Sequence, residues 1–209
     1  MVIDLSLPLE EGTPGFPGYP GYEAEQLQDY ATDGKVSHRV GMNTHLGTHV
    51  DAPAHFVEGG ATVDDLDLDL LCGPARVVDL REHRGTELTA ETLESVAPDL
   101  DAERVLLVTG DVDVRFYDED FFEEAAVLTA DAAGWLLDRD VRMVANDFLT
   151  ESIDGEPRPV HHALLGAGVP VVEYLCNTAA VADRRTVEFC CLPLNLPGLE
   201  AAPARAVVR

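Results

Sequence analysis

The segment His45-Leu46-Gly47-Thr48-His49-Val50-Asp51-Ala52-Pro53-Ala54-His55 limits the conformations open to this chain more than any other stretch. It holds three of the 7 histidines and a carboxylate. A straight strand would put positions 45, 49, 51 and 55 on one face, yet His45 and His49 would stand roughly 13 Å apart at about 3.3 Å per residue. A helix would bring positions i and i+4 together. However, Gly47, the β-branched Thr48 and Val50, and Pro53 all oppose a helix. The expected compromise is an extended segment kinked at Gly47-Thr48, where glycine adopts dihedrals closed to other residues. His49 and Asp51 then act from the same side. Pro53 turns the chain again and carries His55 toward the cluster without requiring it to bind there. Imidazole and carboxylate together form a donor set for zinc, manganese or iron. The segment therefore points to metal-assisted chemistry, with His55 left over as a proton carrier.

A second feature lies downstream, at His161-His162 and the apolar run that follows. Residues 169–175 read as a short buried strand preceded by a glycine turn. Glu173 sits inside that strand. A buried carboxylate is costly unless it is paired or binds a cation. From the local sequence two readings are equally open: a bland one, in which Glu173 pairs with an arginine or points outward from an edge strand, and cation binding.

The pattern His-x-Gly-Thr-His-x-Asp-x-Pro-x-His, joined to His161 and Glu173, resembles the putative cyclase family. Its best-known members are bacterial kynurenine formamidases, with isatin hydrolases as relatives. Ile3-Asp4-Leu5-Ser6-Leu7, Phe16-Pro17-Gly18, and Asn146-Asp147 followed by Ser152-Ile153-Asp154 also look like the family's pattern. By motif order the resemblance covers roughly residues 3 to 195. It implies a swivelling β/β/α fold in one α/β domain over residues 1–209. It implies metal ligation by His45, His49 and Asp51, joined by His161 and Glu173, and an acid/base role for His55. His162 falls where relatives often carry arginine, so His161 is taken as the ligand. Five ligands exceed the needs of one tetrahedral ion. With Asp51 and Glu173 bridging, they suit two ions about 3.5–4 Å apart. Zinc is the expected divalent metal, with manganese as the alternative and one or two ions bound.

The expected chemistry is amide hydrolysis by metal-activated water, with His55 passing a proton to the leaving nitrogen. By resemblance an aryl-formamide such as N-formylkynurenine leads, and a cyclic amide or small ester follows. A metal-stabilised binding protein is the non-enzyme alternative, against which a spare His55 argues. The loop at 12–22 is rich in glycine, proline and aromatics, and offers Phe16, Tyr19 and Tyr22 to stack on a flat substrate. Where many formamidases read Pro-Gly-Asp, this chain reads Pro17-Gly18-Tyr19 and then Pro20-Gly21-Tyr22, which puts the particular substrate in question. No Gly-x-Ser-x-Gly elbow is present. The expected partners are a small aromatic amide and further copies of the chain, as a homodimer or higher homo-oligomer.

Charge excludes other classes. There are 39 acidic residues against 14 basic ones, a net charge of −25. Such a chain repels nucleic acid and anionic membranes. Lys35 is the sole lysine, and the acids are spread along the chain rather than gathered in one tail. Both features read as adaptation to salt, which screens self-repulsion to within about 3 Å at 1 M. Cys72, Cys176, Cys190 and Cys191 lack zinc-finger spacing, and Cys190-Cys191 are expected to alternate faces as buried thiols. With no signal-like start or membrane span in the sequence, a reducing cytoplasm is expected.

Strands are expected over 2–7, 36–43, 75–80, 104–109, 141–145, 169–175 and 187–192, the last two closing the sheet. Helices are expected over 89–97, capped by Thr89, and over 129–138. The 116–126 segment, rich in Phe and acids, reads as a lid or a subunit contact. Strands interleaved with helices favour an α/β or α+β domain over a β-sandwich. The charge balance makes one prediction directly. The thermal midpoint should climb substantially from low to multi-molar KCl, and a flat response would contradict salt adaptation.

Overall fold

The runs 105–108 and 143–145 are apolar without alternation, the pattern of parallel strands covered on both faces. In the computed structural model, which describes residues 1–153 and 157–209, both are buried throughout. The strands are β1 (Ile3–Asp4), β2 (Glu23–Gln28), β3 (Ser37–Gly41), β4 (His49–Asp51), β5 (Cys72–Asp79), β6 (Glu87–Leu88), β7 (Arg104–Val108), β8 (Val127–Leu128), β9 (Met143–Asn146), β10 (Val171–Glu173), β11 (Thr186–Pro193) and β12 (Ala201–Val208). The α-helices are α1 (Tyr30–Asp33), α2 (Ala90–Val96), α3 (Asp111–Arg115), α4 (Phe121–Glu124), α5 (Ala130–Leu137) and α6 (Pro159–Gly166).

β5, β7, β9 and β10 are parallel neighbours. β4 joins β10 antiparallel, and β12 joins β4 antiparallel. β11 then links β12 back to β5, so the sheet closes on itself as a barrel-like ring with β1 added along β12. Strand alternation divides the core. Val105, Leu107 and Val144 face the layer of α2, α5 and α6, packing on Leu93, Leu136 and Leu164. Leu106, Val108, Met143 and Ala145 face the barrel interior, with Leu5, Val50, Phe189 and Ala206. The mixed α/β fold is thus the one the sequence implied. Asp154, the last residue of the Ser152-Ile153-Asp154 pattern, lies outside the described residues.

Several boundaries differ from expectation for identifiable reasons. Only Ile3–Asp4 of the 2–7 segment forms a strand; Ser6 instead bridges Leu175. β3 does not run straight into the histidine motif. It pairs with β2, absent from the sequence reading, in a hairpin outside the barrel. The strand at 169–175 is preceded by α6 as well as by a turn at Gly168, where φ is +77°. That helix starts at Pro159 with Arg158 before it, so the usual Ser/Thr/Asp/Asn cap is missing. Closure of the sheet falls to β12 rather than to 187–192. Its alanines, Pro203 and Arg205 lack the β-branched alternation that marks a strand. The 116–126 segment is wall rather than lid: Phe116 and Phe121 are buried and meet Tyr174 at ring distances of 5.6 and 6.3 Å. Cys190 is the register partner of Cys72 across β11 and β5, and the two form a disulfide, so the expectation of buried thiols holds for Cys191 alone of that pair. No helix of the described residues is long and apolar enough to cross a membrane.

Thr48 joins three parts of this architecture. Its hydroxyl donates to the Tyr174 carbonyl at 2.7 Å and accepts the Leu7 N–H at 2.8 Å, all three residues being buried. Tyr174 itself holds a left-handed φ of 55°, so its carbonyl is turned away from the ladder and needs this donor. Thr48→Val should strand both groups and cost about 2 kcal/mol or more. The thermal midpoint should fall by about 4–8 °C in a chain of this size, readable by calorimetry.

Candidate metal centre and active-site pocket

Gly47, at φ +63°, breaks the chain before β4 and turns His45 back over it. His45 Nδ1 then lies 2.9 Å from Asp51 Oδ1 and 3.3 Å from His49 Nε2. His49 Nε2 is 3.2 Å from the same oxygen. The kink therefore does what a straight strand could not. The antiparallel register of β10 on β4 sets Glu173 opposite His49, with Glu173 Oε2 3.5 Å from His49 Nε2. His161, on α6, completes the cluster: its Nε2 is 3.5 Å from Glu173 Oε1 and 3.8 Å from Asp51 Oδ2.

Two donor groups result, His45/His49/Asp51 and Asp51/His161/Glu173, each with its donor atoms within 4.8 Å of one another. Asp51 belongs to both, through different oxygens. Its side chain is 1% exposed, and neither oxygen has an aligned hydrogen-bond donor despite the close imidazole nitrogens. A buried anion in that state needs a cation, so the residues fit a divalent metal. With no ion bound, the neighbouring imidazoles share the charge of this carboxylate. Burial opposes ionisation of Asp51, yet His49 and His45 hold its carboxyl well below the usual range. Burial opposes protonation of His49, but the Asp51 and Glu173 carboxylates raise it. Burial pushes the Tyr174 phenol upward, helped by Glu173.

The remaining expected residues divide. The His55 ring, placed by the 3-10 turn Pro53–His55, lies 4.2 Å from that of His45 and 6.0 Å from that of His161, and its imidazole makes no hydrogen bond among the described residues. Burial lowers its pKa. His162 is exposed, edge-on to Phe56 at 5.1 Å and turned away from the cluster. Phe16 and Tyr19 line the pocket over the cluster, 5.4 Å apart, with Tyr19 6.5 Å from His45. Tyr22 does not join them: it lies in a separate depression with Glu11 and Arg39, because the loop has already turned toward β2.

Sequence reasoning missed three polar residues here. Glu151 Oε1 meets His161 Nδ1 at 2.5 Å. Glu200 Oε1 lies 3.3 Å from His45 Nε2. Arg158 reaches the pocket wall, 5.8 Å over the Phe16 ring. None has a local signal, since each partner is ten or more residues away or on an element the sequence did not announce.

The model of the putative cyclase family matches residues 3–153. Kynurenine formamidase of Salinibacter ruber is 38% identical over 177 residues, covering 80% of this chain and 77% of that one. Kynurenine formamidase of Bacillus cereus is 32% identical over 212 residues, covering 99% and 96%. The solved structure of a potential metal-dependent hydrolase with cyclase activity superposes with a TM-score of 0.80 at 30% identity, covering 100% of this chain and 96% of its own. Isatin hydrolase A from Labrenzia aggregata, bound to benzyl benzoate, reaches 0.87 at 24% identity over 100% and 93%, a likeness of fold alone. Together, fold and site define the class as a cyclase-type hydrolase. The chain belongs to the putative cyclase family.

A pH dependence follows from His161. Burial disfavours its charge, but the hydrogen bond to Glu151 and the contacts with Glu173 and Asp51 outweigh burial and raise it to about 10. A histidine raised above its unfolded value of about 6.5 stabilises fully below that pH and loses the contribution as pH rises through its folded pKa. Protein stripped of metal by a chelator should therefore lose thermal stability between pH 7 and 10. His161→Gln should flatten that decline, and an unchanged slope would contradict the assignment.

Proposed function

We propose that the protein is a divalent-metal-dependent amide hydrolase that acts on an aryl-formamide or a related aromatic amide. The observation that carries this reading is Asp51, a buried carboxylate without hydrogen-bond donors, shared by two donor groups. His45, His49 and Asp51 would hold one ion, and Asp51, His161 and Glu173 a second. Three imidazoles and two carboxylates suit zinc, with manganese as the alternative. A bound divalent cation supplies Lewis acidity toward a carbonyl oxygen and makes a water more acidic.

The chain's own residues do the rest. Phe16 and Tyr19 present aromatic faces beside His45, a fit for a flat ring with its amide toward the cluster. Phe56 and Tyr174 also line the pocket and limit water. His55 is close to the donor atoms yet unanchored, so its ring can take a proton from the attacking water and deliver it to the leaving nitrogen. Water adds to the carbonyl carbon, the C–N bond breaks, and an amine and a carboxylic acid leave. The kinship with kynurenine formamidases over most of both chains supports the aryl-formamide assignment.

Asp51→Ala should remove most bound metal and activity. His55→Ala should keep the metal and lose about 10²–10⁴-fold in rate. Metal loss on removing His55 would move it into the ligand set, and full turnover by Asp51→Ala would overturn the centre. Turnover is to be read on N-formylkynurenine, simple aryl-formamides, isatin and aryl esters in high salt. Opening of isatin alone would transfer the assignment to cyclic amides, and inactivity on all four would leave a binding protein.

A further inference from the structure

Each imidazole in the cluster uses one ring nitrogen inward, and what meets the other nitrogen differs. His49 Nδ1 lies 2.8 Å from the Gly47 carbonyl, a contact made by the kink itself. His161 Nδ1 meets Glu151 Oε1 at 2.5 Å. His45 Nε2 faces Glu200 Oε1 at 3.3 Å. His55 has no such partner among the described residues. An imidazole can ligate through one nitrogen only when the other carries the proton, and an acceptor behind the ring selects that tautomer.

Glu151 is built for this role. It is 6% exposed. Its Oε2 accepts the Val160 N–H at 2.9 Å, and Oε1 faces the His161 N–H at 3.4 Å as well as Nδ1. Both oxygens face backbone N–H groups, and Oε1 also faces a ring nitrogen able to carry a proton, an arrangement that two carboxylate oxygens satisfy and an amide cannot. It also stands in for the cap that Arg158 fails to supply to α6, which ties the orientation of His161 to the first turn of its own helix. Glu200 is less constrained. Its side chain is 35% exposed, and one bond from the Thr44 hydroxyl, at 2.7 Å, holds it.

We infer that Glu151 and Glu200 are positioning residues that each serve a different donor group, Glu151 through His161 and Glu200 through His45, and that the two groups depend on them unequally. The inference rests on the metal-dependent reading above. Glu151 fixes His161 with its proton on Nδ1 and its lone pair on Nε2 toward Asp51 and Glu173. Glu200 favours the opposite tautomer of His45, with Nδ1 inward, and does so loosely.

The test is zinc titration against a competing chelator, counting equivalents and affinities for the unaltered protein, Glu151→Gln and Glu200→Gln, with thermal midpoints of the stripped proteins alongside. Glu151→Gln should weaken one equivalent by about 10–100-fold and leave the other within about 3-fold. Glu200→Gln should weaken the other equivalent by about 10-fold or less. Equal affinities in Glu151→Gln and the unaltered protein would overturn the inference while leaving the metal reading intact. An unaltered protein that takes up no zinc would fail the metal reading itself, and the inference with it. Should Glu151→Gln not fold, NMR of the zinc-loaded unaltered protein decides. A hydrogen-bonded Nδ1–H proton on His161, slow to exchange, supports the role, and its absence overturns it.

Discussion

Asp51 places a carboxylate where solvent does not reach and where no aligned donor meets either oxygen. Leaving such a group uncompensated costs more than any single contact in the core returns, so the surrounding structure is organised to compensate it. β4 runs between β10 and β12. One neighbour carries Glu173 to the cluster, and the segment entering the other carries Glu200. The kink before β4 adds His45 and α6 adds His161. Closure of the sheet through β4 is therefore what holds the donors of both groups in place.

The division of labour between rigid and adaptable parts is visible in the same region. Donor atoms come from strands, a helix and a kinked turn packed against the barrel. The aromatic surface that would meet a substrate comes from the Gly/Pro loop, through Phe16 and Tyr19. Phe16 rests on Phe122 at 6.0 Å, and Phe122 packs beside the buried Phe116, Phe121 and Tyr174. The 116–126 segment thus acts on the pocket from behind, as support for the loop that lines it.

The acidity of the chain has two scales. Over the surface, spread carboxylates give a net charge of −25, a self-repulsion of the kind that dissolved salt screens. Inside, Asp51, Glu151 and Glu173 concentrate negative charge among imidazoles, and burial strengthens every interaction there. A surface field of this sign favours cations near the chain, among which the two donor groups would select by distance and ligand type.

Much of the inner cluster was legible in the amino-acid order because it is local. Gly47, Thr48 and Pro53 dictate a kinked, extended segment, and that alone brings His45, His49 and Asp51 together and swings His55 beside them. Thr89 as a helix cap and the buried strands at the sheet centre were legible for the same reason. Glu173 was ambiguous until register set it opposite His49, and His161, taken over His162 by resemblance, reaches the cluster through the direction of α6. β12, Glu200, Glu151, the Cys72–Cys190 bridge and the diversion of Tyr22 were decided only by tertiary structure. The physical reason is range: backbone dihedrals and side-chain periodicity act over a few residues, whereas a carboxylate behind a ring is placed by strand pairing and helix packing between segments far apart in the chain.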